Sequence, residues 1–408
     1  MDKKTLTEKA GSHLSVLCSE IGERRVGGEG NRRATAYVEK ALSESGWRTE
    51  ATELDVMDWE TGGAELFCDG RSFEVFSSHY SLGCDLKGEL VAAASVEQLE
   101  KADINGKILL LHGEIAAEQI APKKFPFWNP EEHRHMISVI EKGNPKALVC
   151  ATGKNAAVAG GVYPFPLFED GDFDIPSVYM KDTEGEKLRI LAGGQVDLVS
   201  RARRIPGLAY NIIGRNDALA EEKKRVVVTA HIDTKIDTPG AIDNGTGVTT
   251  ILLLAELLKN HSGKHPVDLV VFNGEDYYSA PGQVKYMEQN HGKFGDIILN
   301  INIDGAGYKE GDSCFSALEL PFHMDRTLGE VIRTVPGLVR GLPWYQGDHS
   351  VFLQNGCPAV AVSSAWFIEN MECQEITHTA KDNLDVVNCE RVAECALGVA
   401  ELIKRLSI

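Results

Sequence analysis

The second half of the chain holds four short, nearly continuous apolar runs. They are VVVTA at 226–230, DLVVF at 268–272, DIILNINI at 296–303 and PAVAVSS at 358–364. Runs of this length without a polar alternate face are strands covered on both sides. Helix-like stretches lie between and around them, at 246–259, 283–290, 325–334 and 348–355. A last one runs from Asn388, a suitable N-cap, to about residue 406. This alternation restricts the chain to an α/β fold with a mixed, mainly parallel central sheet flanked by helices.

In open α/β sheets, ligands bind beyond the carboxyl ends of the strands. Three of the four runs deliver chemistry-bearing side chains there. His231 follows VVVTA, Glu275 and Asp276 follow DLVVFNG, and Asp304 ends DIILNINI. Asp243, in GAIDNGTG, precedes the helix-like stretch at 246, and His378 lies in a loop after PAVAVSS. Each residue alone has a plainer reading. An Asp-Asn-Gly is usually a turn, and a Glu-Asp pair is often only a helix start. Together they form an inventory: two imidazoles, three carboxylates and one carboxylate to spare.

Zinc accepts imidazole nitrogen and carboxylate oxygen. A two-metal site needs one bridging ligand, and the short carboxylate of Asp243 suits that position. Each metal then takes one histidine and one further carboxylate from His231, His378, Asp276 and Asp304. Glu275 is left over and suits a general base. Asp233, two residues after His231, is expected to hydrogen-bond the far nitrogen of that imidazole and fix its tautomer. Asp382 is the corresponding residue for His378.

The 408 residues exceed one hydrophobic core, so two domains are expected. Residues 5–20 and 31–45 carry helical spacing. The stretch 50–85 reads as short strands, and 86–200 reads as an inserted, smaller β-rich domain. The rest, 1–85 and 201–408, is the main domain. A net charge of −18 excludes nucleic acid and anionic membranes as natural partners. No run is long and apolar enough for a membrane span. The nine cysteines are scattered without a CxxC and read as free thiols, so a cytoplasmic location is expected. The acidic run Glu169, Asp170, Asp172 and Asp174 reads as a solvated loop, or as an attractor for a substrate amine.

The fragments AHIDT, GAIDNGTGVTTILLLAELL, FNGEDYYSAPG, INIDGAG, GDHSVFLQNGCPAV and THTAKDNLDVV resemble, in order, the blocks of the M28 zinc aminopeptidases. EIGERRVGGEGNRRATAYVEKAL resembles that family's N-terminal block. The insert is similar to the protease-associated module of some members. The resemblance implies a two-zinc exopeptidase acting on peptides. It implies His231, Asp243, Asp276, Asp304 and His378 as ligands and Glu275 as base. Two positions depart from it. Asp276 stands where many members have Glu, and Thr377 precedes His378 where several have a Tyr that holds the oxyanion. Tyr345 and His349, in PWYQGDHS, are the substrate-binding candidates in its place. M20-type deacylases and carboxypeptidases share a similar ligand order, but they insert a lid before the last histidine. Here 378 − 304 = 74 residues separate the last two ligands, too few for a lid. A one-zinc glutaminyl cyclase is the other alternative, and it needs fewer ligands.

Overall fold

The computed structural model describes residues 1–216, 224–277 and 279–406. Two compact units are present, Met1–Val56 with Leu208–Ile408, and Met57–Gly207. The boundaries therefore fall at 56/57 and 207/208 rather than at 85/86 and 200/201. The reason is local. Residues 50–85 do not open with separate short strands. One 21-residue strand, Arg48–Cys68, carries the chain into the second unit, and a second long strand, Gln195–Asn216, carries it back. The two pair with one another, so Gly62 and Gly63 lie inside the first strand instead of ending it.

In the first unit, four strands run parallel in the order Ala359–Ser364, Ile297–Ile303, Arg225–His231, Val267–Phe272. The second half of Gln195–Asn216 closes one edge antiparallel to Val267–Phe272. Ser313–Leu318 runs antiparallel beside Ala359–Ser364, and Leu338–Arg340 follows it in parallel. Neither of these last two strands is visible as an apolar run, because Ser313 and Ser316 interrupt SCFSAL and LVR is only three residues long. The central strands are buried on both faces, as their composition requires.

Helix Thr246–Leu257 is apolar nearly all round and almost wholly buried. Helices Lys3–Ser15 and Cys389–Leu406 pack against it and against each other. Asp2 caps the first of these through the Thr5 amide at 2.8 Å. Gly247 is required where Thr246–Leu257 meets the sheet. A Cβ there would lie 2.6 Å from the Ile303 carbonyl and 2.2 Å from the Asn244 amide oxygen. That close approach seats the start of the helix against the end of a strand.

The second unit has its own cores. Its centre is Cys84–Ala93, Ile108–Leu111, Ala147–Thr152 and Ser177–Lys181, four parallel strands. Helices Val96–Lys101, Glu131–Gly143 and Asp182–Arg189 lie between them in sequence. It is α/β rather than β-rich. The amphipathic stretch at 131–143 covers one strand crossover, and parallel neighbours need such crossovers. Its acidic run is engaged within the unit. Glu169 meets His79, Asp170 accepts the Lys123 and Asp172 amides, and Asp174 pairs with Arg204. Among the described residues, no helix is long and apolar enough to cross a membrane. All nine cysteines are free.

Candidate metal centre

Each expected site residue sits where the strands or their adjoining loops place it. His231 is the last residue of its strand and pairs in register with Phe272 of the neighbour. Asp304 follows Ile297–Ile303 and donates its amide to the Val362 carbonyl. Glu275 and Asp276 occupy the turn after Val267–Phe272. Asp243 lies in the turn Ala241–Gly245, and the peptide bond to Asn244 is cis. Asn244 ties this turn to the strand end by donating to the Ile303 carbonyl at 2.8 Å and accepting the Gly247 amide at 3.0 Å. His378 is held in the left-handed region at φ 63°. A non-glycine residue pays for that conformation, and such strain concentrates at functional positions.

These side chains converge. One oxygen of Asp243 lies 3.1 Å from His231 Nε2, and its other oxygen lies 3.2 Å from His378 Nε2. Asp304 Oδ1 is 3.7 Å from His231 Nε2, and Asp276 Oδ1 is 3.2 Å from His378 Nε2. Asp243 thus stands between two groups, His231 with Asp304 and His378 with Asp276. Ligand atoms of His231, Asp243 and Asp276 also come within 4.8 Å of one another.

The donor set fits zinc on physical grounds. His231 Nδ1–H donates to the Asp233 carbonyl at 3.2 Å. Its Nε2 is buried 3.1 Å from the Asp243 carboxylate and 3.7 Å from that of Asp304, and has no hydrogen-bond partner of good geometry. Asp276 Oδ2 is likewise buried without one. Such groups are costly unless a cation lies between them. Zinc bonds of about 2.05 Å in a tetrahedron put ligand atoms roughly 3.3 Å apart. The observed separations of 3.1 to 3.7 Å match that edge.

The electrostatics agree with a site built for positive charge. Burial works against a charged His231, yet Asp304, Asp233 and Asp243 outweigh it and hold its pKa well above the usual histidine range. Burial likewise raises Asp243, but His231 and His378 prevail and hold it well below the carboxylate range. Glu275 goes the other way. Burial, with Asp304, Asp276 and Asp348 nearby, holds its carboxyl well above the usual value against the pull of His231. Its side chain has no hydrogen-bond partner among the described residues, and only its amide is tied, to Asp233.

Asp233 does something other than expected. Its carboxylate lies 3.7 Å from His231 Nδ1, too far for a hydrogen bond, and its backbone carbonyl orients the ring instead. The carboxylate accepts the amides of Gly274, Glu275 and Asp276 at 2.6, 3.2 and 3.0 Å. Asp382 follows the same plan. It accepts the Ile242 and Asp243 amides at 2.7 and 3.0 Å and makes no hydrogen bond to His378. Each buried aspartate comes from the loop of one histidine and braces a turn bearing a carboxylate.

His349 is fully buried. Its Nε2–H donates to the Trp344 carbonyl at 2.9 Å, and Nδ1 faces the Asn302 amide at 3.3 Å. Both nitrogens are committed to the protein, so it offers a substrate neither donor nor acceptor. Tyr345 is 65% exposed. Thr377 accepts from Gln374 at 2.7 Å, so its hydroxyl also serves the loop.

Two further residues escaped sequence reasoning. Arg24 is fully buried and donates to five carbonyls: Leu17, Gly22, Ile232, Pro239 and Gly240. It clamps the segment after His231 and the segment before Asp243 to the N-terminal turn. Nothing in EIGERRVGG separates it from Arg25, which remains partly exposed. Asp348 is buried, accepts from Gln283 Nε2 at 2.6 Å, and is pushed up to about 7 by burial. Its neighbour His349 drew attention in the sequence, yet Asp348 joins Asp304 and Asp276 among the acids that raise Glu275.

Comparison with known proteins assigns part of the chain to a family. Residues 211–403 match the profile of peptidase family M28. This segment is an M28 metallopeptidase domain. A probable lipoprotein aminopeptidase of Mycobacterium tuberculosis, LpqL, is 25% identical over 73% of the chain and 58% of its own length. Aminopeptidase YwaD of Bacillus subtilis is 22% identical over 97% of the chain and 84% of its own length. The solved structure of a zinc aminopeptidase from Bacillus subtilis superposes with a TM-score of 0.76 at 19% identity. It covers 98% of this chain and 95% of that one. All of the residues of the candidate centre lie inside the M28 segment, whereas Arg24 lies outside it.

Proposed function

We propose that the chain is a zinc aminopeptidase that holds two zinc ions and removes N-terminal residues from peptides. The observation that carries this reading is Asp243, whose two oxygens face two different histidines at nearly equal distance. His231 and Asp304 would hold one ion, His378 and Asp276 the other, and Asp243 both. Bound zinc lowers the pKa of water from 15.7 to roughly 7 and polarises the scissile carbonyl.

The protein's own groups do the rest. Glu275 takes the proton of the attacking water and passes it to the leaving amine. Its raised pKa and uncommitted side chain suit a group that both accepts and returns a proton. A bound cation lowers that pKa. Asp233 holds the Glu275 and Asp276 amides, so base and ligand are aimed together. Asp276 has a shorter arm than glutamate. Asp233 braces its amide, and its Oδ1 lies 3.2 Å from His378 Nε2, which supports the two sharing an ion. The free thiols and the acidic surface support a reducing, cytoplasmic setting.

Glu275→Gln is expected to retain zinc and to lose turnover by a factor on the order of 10²–10⁴. Unchanged turnover removes Glu275 from that role. Elemental analysis is expected to find two zincs per chain, and finding none in zinc-replete medium defeats the reading. Aminoacyl substrates should be cleaved in preference to N-acyl and C-terminal substrates. The reverse order would favour a carboxypeptidase or deacylase, and cyclisation of N-terminal glutamine a cyclase.

A further inference from the structure

The first unit has a second concave site, at the other ends of the strands that carry the metal centre. It encloses about 300 Å³. Arg225 opens the strand that ends at His231, Asp268 is the second residue of the strand that precedes Glu275, and Ile297 opens the strand that precedes Asp304. All three line this pocket. A seven-residue strand rises roughly 20 Å, so the two sites are well separated.

Its charge runs against the rest of the molecule. Arg48, Arg215, Arg225 and Lys293 line it, against Asp268 and Asp296. In a chain of net charge −18 its lining sets four cations against two carboxylates, and Glu50 on Arg215 leaves an excess of one positive charge. Arg225 gives Nη1 to Asp268 at 2.8 Å and makes no other hydrogen bond among the described residues. Arg215 gives Nη1 to Glu50, while its Nε stands 3.7 Å from Asp268. The Nζ of Lys293 meets only the Gln289 carbonyl and has no acid partner among the described residues. Both guanidinium groups are partly buried, with side-chain exposures of 21% and 33%. Both line the pocket, and neither makes a further hydrogen bond among the described residues.

We infer that this pocket binds a compact, doubly charged oxyanion, a phosphate group. Guanidinium forks match the oxygens of such a group and bind it through charge-assisted hydrogen bonds. The volume is at the low end for ligand pockets, enough for a phosphate with a small attachment and too little for a peptide. Asp268 pre-positions the two forks by anchoring one and facing the other, which lowers the cost of ordering them on binding.

The test uses the zinc-loaded full chain and inorganic phosphate, with binding followed by titration calorimetry. Because phosphate is also a potential zinc ligand, His378→Ala serves as the control that disrupts the metal centre. A phosphate site that survives in His378→Ala and weakens about tenfold or more in Arg225→Gln supports the inference. Lys293→Gln alters an exposed side chain with no ion pair. It should weaken binding severalfold with peptidase turnover unchanged, and it carries the test if Arg225→Gln does not fold. Binding that disappears in His378→Ala and is untouched by Lys293→Gln overturns the inference, as does no binding at all. Succinate binding as tightly as phosphate overturns the choice of phosphate.

Discussion

His231 and His378 face the same carboxylate from opposite sides, but they are held in different ways. His231 ends a central parallel strand, is 0% exposed, and has its ring fixed by a backbone carbonyl two residues on. His378 sits in a loop at φ 63°, with its side chain 20% exposed. The sheet places the first, because it ends a central strand and pairs in register with Phe272 of the neighbour. A network of loop hydrogen bonds places the second: Gln374 with Thr377, and Asp382 with the Asp243 turn. One half of the centre is therefore as rigid as the core, and the other depends on local bonds that can open separately.

Single histidine replacements break the comparison most strongly. On the proposed two-ion reading, His378→Ala and His231→Ala should each lose turnover by about a thousandfold or more, because one ion is no longer held. They should differ in folding. His378→Ala should keep its denaturation midpoint, whereas His231→Ala leaves a cavity and unpaired carboxylates at the sheet and should lose roughly 2–4 kcal/mol. Equal losses of stability would refute the division between a strand-held and a loop-held ligand.

Acid tests the rigid half. Thr229 on the His231 strand accepts from Asn300 and donates to Asn302, which turns the Asn302 amide N–H toward His349 Nδ1. Protonating His349 would set donor against donor. Burial accordingly lowers its pKa to about 4. The unfolded histidine titrates near 6.5, so between pH 6.5 and 4 the unfolded state binds the extra proton. Stability is fully present above pH 6.5 and should fall by about 3 kcal/mol as pH drops to 4. In the presence of a chelator, where zinc release adds no slope, His349→Gln should flatten this fall. An unchanged slope would place the acid sensitivity elsewhere.

The two buried aspartates give the smallest and sharpest contrast. Asp233→Asn replaces a carboxylate that serves three amides, and Asp382→Asn one that serves two. An amide side chain keeps one acceptor oxygen and turns a donor toward the rest. Zinc affinity should fall about 10–100-fold in each. On the proposed two-ion reading, the loss in Asp382→Asn should fall on the ions that Asp243 would hold, and that in Asp233→Asn chiefly on the ion that Asp276 would hold. Cobalt-substituted spectra can report each site, and identical spectra from the two variants would deny that the braces act on separate turns.

The sequence by itself determined the four central strands and the edge at which ligands collect. Buried parallel strands must be apolar throughout, so a His or Asp at the end of such a run stands out. It also determined which side chains could be ligands, and left Glu275 as the spare carboxylate. Tertiary structure decided the rest. The strands Ser313–Leu318 and Leu338–Arg340 lack a distinctive pattern because their neighbours, not their composition, make them strands. Asp233 was legible as a partner of its own loop's histidine, yet it braces a turn more than 40 residues away in sequence. Arg24 could not be told from Arg25, because burial among carbonyls brought together from residues 17 to 240 is a property of the folded chain alone. Periodicity records which face of an element is buried. Which loop meets which is settled only when the sheet assembles and unpaired amides find their acceptors.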